Sequence, residues 1–252
     1  MAFFSGQGEV SVAPITYDTN GVASTGAFRK VGNVPDFKPK FDVSKKEKKE
    51  SMSSQRLTVK TIISENKSSF DATLDDWSKE NLALATMGTA TTTAAGAVTG
   101  EVAPLGLIVG DIWALKRQKV SALIIKDSAA TPVTVTNTKY RLVDADFGTI
   151  EILDVGTYTQ PFTASYSAGE VDSVSFFTAP IAEVALRFEG KNTADGNRKC
   201  LVELYRVALD PTKELGLISD DFEGIKMSGN LLVDITKPID PVWGQFGRIV
   251  YL

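Results

Sequence analysis

The sequence predicts a mainly β chain with one amphipathic helix, interrupted by a small inserted β-domain. Three observations carry this. Short apolar-rich runs recur along the chain between Gly, Asn, Asp and Pro turn signals. Ser68 to Leu74 alternates cleanly, with Phe70, Ala72 and Leu74 on one face and Ser69, Asp71 and Thr73 on the other. One segment, Asp75 to Met87, has convincing helical spacing.

Taken in order, Gly8–Ala13 reads as the first strand, and Tyr17–Gly26 as a turn-rich excursion built on Asp18, Asn20 and Gly21. Phe28–Val34 reads as a second strand. Arg56–Glu65 places Leu57, Val59 and Ile63 opposite Thr58, Lys60 and Ser64, and Ser68–Leu74 follows as a separate strand. In the helix, Leu74, Trp77, Asn81 and Leu84 share a stripe. Asp75 and Asp76 sit where a helix start favours acceptors, and Gly88 suits a left-handed C′ position. Gly88–Pro104, rich in Ala, Thr and Gly, reads as a linker. Short strands follow at Asp111–Leu115, Lys119–Lys126, Val133–Thr136, Lys139–Val143, Thr149–Leu153 and Pro161–Tyr166, a small β-sandwich. Longer strands return at Val171–Phe177, Ile181–Glu189, Lys199–Leu209, Gly224–Ile235 and Gln245–Leu252. The organisation is therefore an outer domain in two parts, 1–97 and 169–252, around an inserted β-domain at 98–168.

Composition excludes several classes of function. Lys and Arg total 27 against 31 Asp and Glu, a net charge of -4, which argues against a general nucleic-acid binder. With no His there is no Ser-His-Asp triad, no Cys-His pair and no imidazole metal ligand. The lone Cys200 lies in an apolar run and reads as a buried, inert thiol. No cofactor, metal site or enzymatic activity is expected. The start of the chain lacks a basic region followed by an apolar stretch, and the longest apolar runs are too short to span a bilayer. The chain is expected to be soluble when made, with no membrane insertion, in a compartment that keeps thiols reduced.

Individual motifs resolve to local structure. Gly6-Gln7-Gly8 precedes a strand instead of following one, so it reads as a flexible arm and not a dinucleotide fingerprint. The adjacent pairs Asp75-Asp76 and Asp220-Asp221 read as helix caps, since an acid/base pair needs carboxyls converging on a cleft. Asp144 and Asp146 fit a hairpin turn better than a calcium loop, which would need a closing Glu.

The most informative segment is Lys38–Arg56. Lys45, Lys46, Lys48 and Lys49 interleave with Glu47 and Glu50, and Gln55 and Arg56 follow. In a monomer this would be a solvated loop or long hairpin tip. As a functional element it is a stacking arm that meets a neighbouring subunit, where mixed charge sets register and partner choice. The lysines are compensated and no aromatics interleave with them, so a nucleic-acid patch fits less well.

Several stretches together resemble the major tail tube proteins of long-tailed bacteriophages. They are Ser5–Gly8, Gly26–Pro35, Lys49–Ser51, Gln55–Leu57 and Trp77–Ala85, then Asn192–Asn197, Val202–Arg206, Lys213–Ile218 and Gln245–Arg248. The likeness covers Ser5–Gly88 and Asn192 to the C-terminus, and leaves out about Val98–Ala168. It implies a tail-tube β-sandwich or rolled sheet with one flanking α-helix. Subunits would join edge to edge into hexameric rings that stack into a tube for DNA ejection, in the virion tail, after assembly in the host cytoplasm. The implied partners are copies of the chain itself, tail terminator and distal tail proteins, and the tape measure protein and DNA held loosely in the lumen. Lys45, Lys46, Glu47, Lys48, Lys49, Glu50, Gln55 and Arg56 would make contacts between rings or subunits. Asp71, on the polar face of its strand, would line the lumen, where surplus acid would repel DNA. A second reading, from another class, is a surface carbohydrate-binding β-sandwich module with Tyr140, Tyr158 and Tyr166 as sugar platforms.

Overall fold

The computed structural model describes residues 3–52 and 54–252. The chain is mainly β, with a single short helix and several antiparallel sheets among the described residues. The elements begin with β1 (Gly6–Tyr17), β2 (Ala23–Thr25), β3 (Arg29–Lys30), β4 (Asp36–Lys49), β5 (Thr58–Leu74) and α1 (Lys79–Ala85). They continue with β6 (Thr89–Thr93), β7 (Gly96–Val102), β8 (Ile112–Ala114), β9 (Val120–Lys126), β10 (Tyr140–Asp144), β11 (Thr149–Ile152) and β12 (Thr163–Ala168). The last five are β13 (Val171–Ser175), β14 (Glu183–Asn192), β15 (Arg198–Asp210), β16 (Ile225–Leu231) and β17 (Gly247–Tyr251).

Two compact units result, Met1–Ala90 with Val174–Leu252, and Thr91–Ser173. The sequence put the insertion at 98–168. The observed division lies further out on both sides, and the supposed linker Gly88–Pro104 is strand at β6 and β7. Its threonines are β-branched and suit a pleated surface. β6 pairs with β13, and β7 pairs with β12 from Gly96 onward.

The first unit is built on a nine-stranded sheet in the order β2-β1-β14-β15-β16-β5-β4, with β17 also on β15 and β3 on β1. Its core collects alternate residues of the strands: Val10 and Val12 of β1, Phe70 and Leu74 of β5, Leu186 of β14, Val207 of β15, and Ile225 and Met227 of β16. Arg56–Glu65 and Ser68–Leu74 are not separate strands. They are one 17-residue strand, β5, because β4 pairs with it from Thr58 to Thr73. The expected flexible arm at Gly6–Gly8 is the start of β1, with Gly8 opposite Gly190. A Cβ on Gly8 would stand 2.3 Å from the Glu189 carbonyl oxygen, so close backbone approach accounts for the glycine.

The helix is shorter than its sequence pattern. Residues 75–78 lie outside the helix and are held by tertiary bonds: the Asp75 N–H donates to the Asn33 carbonyl, and the Trp77 indole N–H donates to the Glu223 carbonyl at 2.7 Å. Ser78 is the N-cap, with no side-chain capping bond, so Asp75 and Asp76 do not cap. At the other end Met87, not Gly88, takes the left-handed conformation at φ 49°, and the Gly88 N–H donates to the Ala83 carbonyl at 2.8 Å, closing a Schellman turn. Gly88 is needed for a different reason: a Cβ there would lie 2.4 Å from the Ser175 carbonyl oxygen. Asn81, one of the stripe residues, is fully buried. It donates to the Val31 and Asp76 carbonyls and accepts from Arg29 at 2.8 Å.

The second unit contains two three-stranded sheets, β10-β11-β8 and β7-β12-β9, around Trp113, Ile125, Ile150, Ile152, Phe162 and Tyr166. Val133–Thr136 is not a strand. It contributes one bridge, Thr134 to Lys126. Among the described residues, no helix is long and apolar enough to cross a membrane.

Candidate self-association surface

β16 supports β5 only from Ser69 to Leu74, through pairs that run from Asn230–Ser69 to Ile225–Leu74. Beyond Ser69, β4 and β5 continue as a bare two-stranded ribbon, from the Phe41–Ser68 pair to Lys49–Thr58. Two register shifts, at Ser44/Lys45 and Lys48/Lys49, add twist near the tip, which is one way an exposed edge is kept from pairing indiscriminately. The Glu50 N–H donates to the Leu57 carbonyl at 2.9 Å across the turn, and the Thr58 hydroxyl donates to Glu47 at 3.2 Å.

The ribbon carries Lys45, Lys46, Glu47, Lys48 and Lys49 on β4 and Glu50, Gln55 and Arg56 in the turn, so the predicted contact residues share one element, with Lys45 and Glu47 on one face of the strand and Lys46 and Lys48 on the other. It also carries a feature not read from the charges. Phe41 (73% exposed), Val43, Leu57, Val59, Ile62 and Ile63 (62% exposed) lie open to solvent along it. An isolated two-stranded ribbon has no core of its own to bury them. The available signal was the apolar β-branched content of Leu57–Ile63 beside a lysine run, a pattern that does not suit a purely solvated loop.

Several charges elsewhere on this unit are paired internally. Arg206 meets Glu183 through two bonds of 2.6 and 3.1 Å, and its guanidinium lies 5.5 Å from the Tyr17 ring centre. This contact holds the Glu183 carboxyl below its ordinary range. Desolvation, reinforced by the neighbouring Glu183, raises the Tyr17 hydroxyl. Glu203 accepts from Arg248 at 2.7 Å and Arg187 at 3.3 Å, and Arg248 stacks 3.7 Å over Trp243. In contrast, no ion pair among the described residues engages Lys45, Lys46, Lys48 or Lys49.

Asp71 stands apart from the ribbon tip. It lies where β5 is still in the sheet, opposite Lys38 and Ser228, and its carboxylate is ion-paired to Lys40. Asp220-Asp221 begins no helix. It belongs to an exposed irregular loop before β16. Of the tyrosines considered as sugar platforms, Tyr166 is a core residue whose hydroxyl donates to the buried Glu101 at 2.6 Å, and Tyr140 and Tyr158 pack against the same core. Asp144 accepts the N–H groups of Asp146 and Phe147, the geometry of a turn. Cys200 is buried.

A groove of about 760 Å³ runs beside the sheet, lined by Phe37, Pro39, Phe188, Cys200, Val202 and Ile249 among others. β17 pairs only with β15 and β4 only with β5, so each has an open edge among the described residues. No group of three or more Asp, Glu or Cys side chains that could hold a metal ion occurs among the described residues.

These features define an antiparallel β chain whose most conspicuous surface is a projecting, unsupported ribbon of exposed apolar and basic side chains. The chain belongs to the family described as Protein of unknown function UCP028589, which matches residues 3–250. No curated protein matches it.

Proposed function

We propose that this chain is a structural subunit of the tail tube of a long-tailed bacteriophage. It assembles into hexameric rings that stack into a conduit for DNA ejection. The observation that carries this reading is the ribbon beyond Ser69, which exposes apolar side chains and unpaired lysines far from any core of its own chain. Such a surface is an aggregation hazard in a lone particle and an interface in an assembly. The open edges of β17 and β4 supply the second kind of contact a tube needs, one that closes a ring while the ribbon propagates the stack. The resemblance of Ser5–Gly88 and the C-terminal segments to tail tube proteins favours the same conclusion.

On this reading the partners are further copies of the chain, terminator and distal tail proteins at the ends, and the tape measure protein and DNA inside, in the virion tail. The mechanism is passive. A conduit must not hold its cargo, because each lysine contact to phosphate adds salt-dependent affinity. If Asp71 faces the lumen, it presents a Lys40-paired carboxylate, and the wall there is neutralised instead of strongly acidic.

Electron microscopy and sedimentation velocity of the purified full chain test the proposal. Rings or tubes of uniform diameter support it. A stable monomer at every concentration from micromolar to millimolar would end it.

A further inference from the structure

Exposed apolar side chains next to unpaired charge occur at a second place in the first unit. The loop that precedes β16, residues 214–224, leaves Leu217, Ile218 (98% exposed) and Phe222 fully in solvent. Interspersed with them are Asp220, Asp221 and Glu223, none of which has an ion-pair partner among the described residues. The ribbon is its opposite in charge. Lys45, Lys46, Lys48, Lys49, Arg56, Lys60 and Lys67 outnumber Asp42, Glu47, Glu50 and Glu65 there, among exposed Val59, Ile62 and Ile63.

The two surfaces sit at opposite ends of one strand. The ribbon tip is at Thr58, where β5 begins. The acidic loop leads into Ile225, which pairs with Leu74, where β5 ends. Seventeen residues of extended chain separate them by about 50 Å. A chain therefore cannot bring its own ribbon onto its own loop. A second copy, displaced along the strand direction, can.

We infer that the ribbon of one copy docks on the acidic-apolar loop Leu217–Glu223 of the next. This rests on the self-assembly reading and names the surface that the ribbon meets. Lysine on Asp and Glu, with Ile and Val on Leu, Ile and Phe, satisfies both kinds of exposed group at once. A symmetric ribbon-to-ribbon contact would instead oppose lysine to lysine, which is repulsive. A head-to-tail contact of this kind propagates a stack when its rotation does not close a ring. A shallow hollow of about 180 Å³ beside the loop, lined by Phe176, Phe177 and Leu215, offers a seat for one apolar side chain of the tip, such as Met52 or Leu57.

Charge-reversed full-length chains test this. One carries K45E/K46E/K48E/K49E, and the other carries D220K/D221K/E223K. All the substituted residues are exposed, and circular dichroism confirms that each variant is folded. Each variant alone should lose polymer in sedimentation and electron microscopy at a concentration where the natural chain polymerises. An equimolar mixture should regain it, because each ribbon then finds a loop of opposite charge on the other variant. Polymer formed by each reversed variant alone, or a mixture that fails to recover, overturns the assigned contact and leaves self-assembly of the natural chain standing. A natural chain that never polymerises overturns both.

Discussion

Removing the ribbon separates assembly from folding. The perturbation is replacement of Val43–Asn66 by Asn-Gly, a dipeptide suited to a type I′ turn, which joins Asp42 to its registered partner Lys67. None of the described residues removed is buried, so no core contact is lost. Exposed residues of this kind contribute within about 0.5 kcal/mol each way. The segment closing β4 onto β5 shortens from about two dozen residues to two. Loop-closure entropy alone then favours the shortened chain by up to about 2 kcal/mol. Urea denaturation of the first unit should therefore show a midpoint equal to or above that of the natural chain. Sedimentation velocity should show complete loss of polymer. A midpoint lowered by more than about 2 kcal/mol equivalent would mean that the ribbon packs on the body, and the description of it as unsupported would be wrong. Undiminished polymerisation would mean that the ribbon is not the contact that propagates the stack.

Four other outcomes can be measured. Asn81→Leu leaves the Val31 and Asp76 carbonyls and part of the Arg29 guanidinium without partners in a buried site, and should cost about 2–4 kcal/mol in urea denaturation. Met87→Gly relieves a left-handed backbone and should be neutral or stabilise by up to about 1 kcal/mol, whereas Gly88→Ala should destabilise because its Cβ meets the Ser175 carbonyl; thermal melts of the two variants should move in opposite directions. The Arg206–Glu183 pair depresses a carboxyl pKa in the folded state, so its stabilisation is fully present above the ordinary value of 4.5 and is lost as pH falls through the lower folded value; Glu183→Gln should flatten that acid limb in pH-dependent denaturation. Asp71→Asn frees Lys40 from its partner, and should raise the DNA affinity of assembled protein at low salt and steepen its salt dependence, as read by filter binding.

The period-two alternation was legible in sequence because β5 near Phe70 is buried on one face and open on the other, so its residues separate by polarity. The helix ends were not legible. Asp75 and Asp76 look like caps locally, yet the backbone at Asp75 bonds to Asn33, more than forty residues earlier in the chain. Gly88 could be picked out as special, but not why, since its constraint comes from Ser175, far along the chain. The Ala/Thr/Gly stretch after the helix looked slack because its residues are small, whereas its pairing partners, β12 and β13, lie far along the chain. Asn192 illustrates the same limit. It reads as a turn residue, but its side-chain amide accepts from the Ser5 N–H at 2.8 Å and donates to the Phe3 carbonyl at 2.7 Å, tying down the start of β1. The lysine run was conspicuous for the converse reason, because nothing distant alters its exposure.

Two groups of charges on the first unit differ in a way that bears on the proposed assembly. On the sheet, Asp36 pairs with Lys38, Asp71 with Lys40, Glu183 with Arg206 and Glu203 with Arg248. Each pair is local, so these faces carry little net field and little affinity for a polyanion passing by. At the two ends of β5, Lys45, Lys46, Lys48 and Lys49 on the ribbon and Asp220, Asp221 and Glu223 before β16 make no ion pair among the described residues, although Glu65 pairs with Lys67 and Glu214 with Lys226 close by. Local pairing minimises attraction along the body, and unpaired ends concentrate attraction where copies would meet. A chain evolved only for solubility would have no need to segregate its charge this way, since mixed charge spread evenly over the surface serves solubility equally well. The segregation gives the chain a direction, and on the proposed reading a subunit with a direction would stack in one sense only.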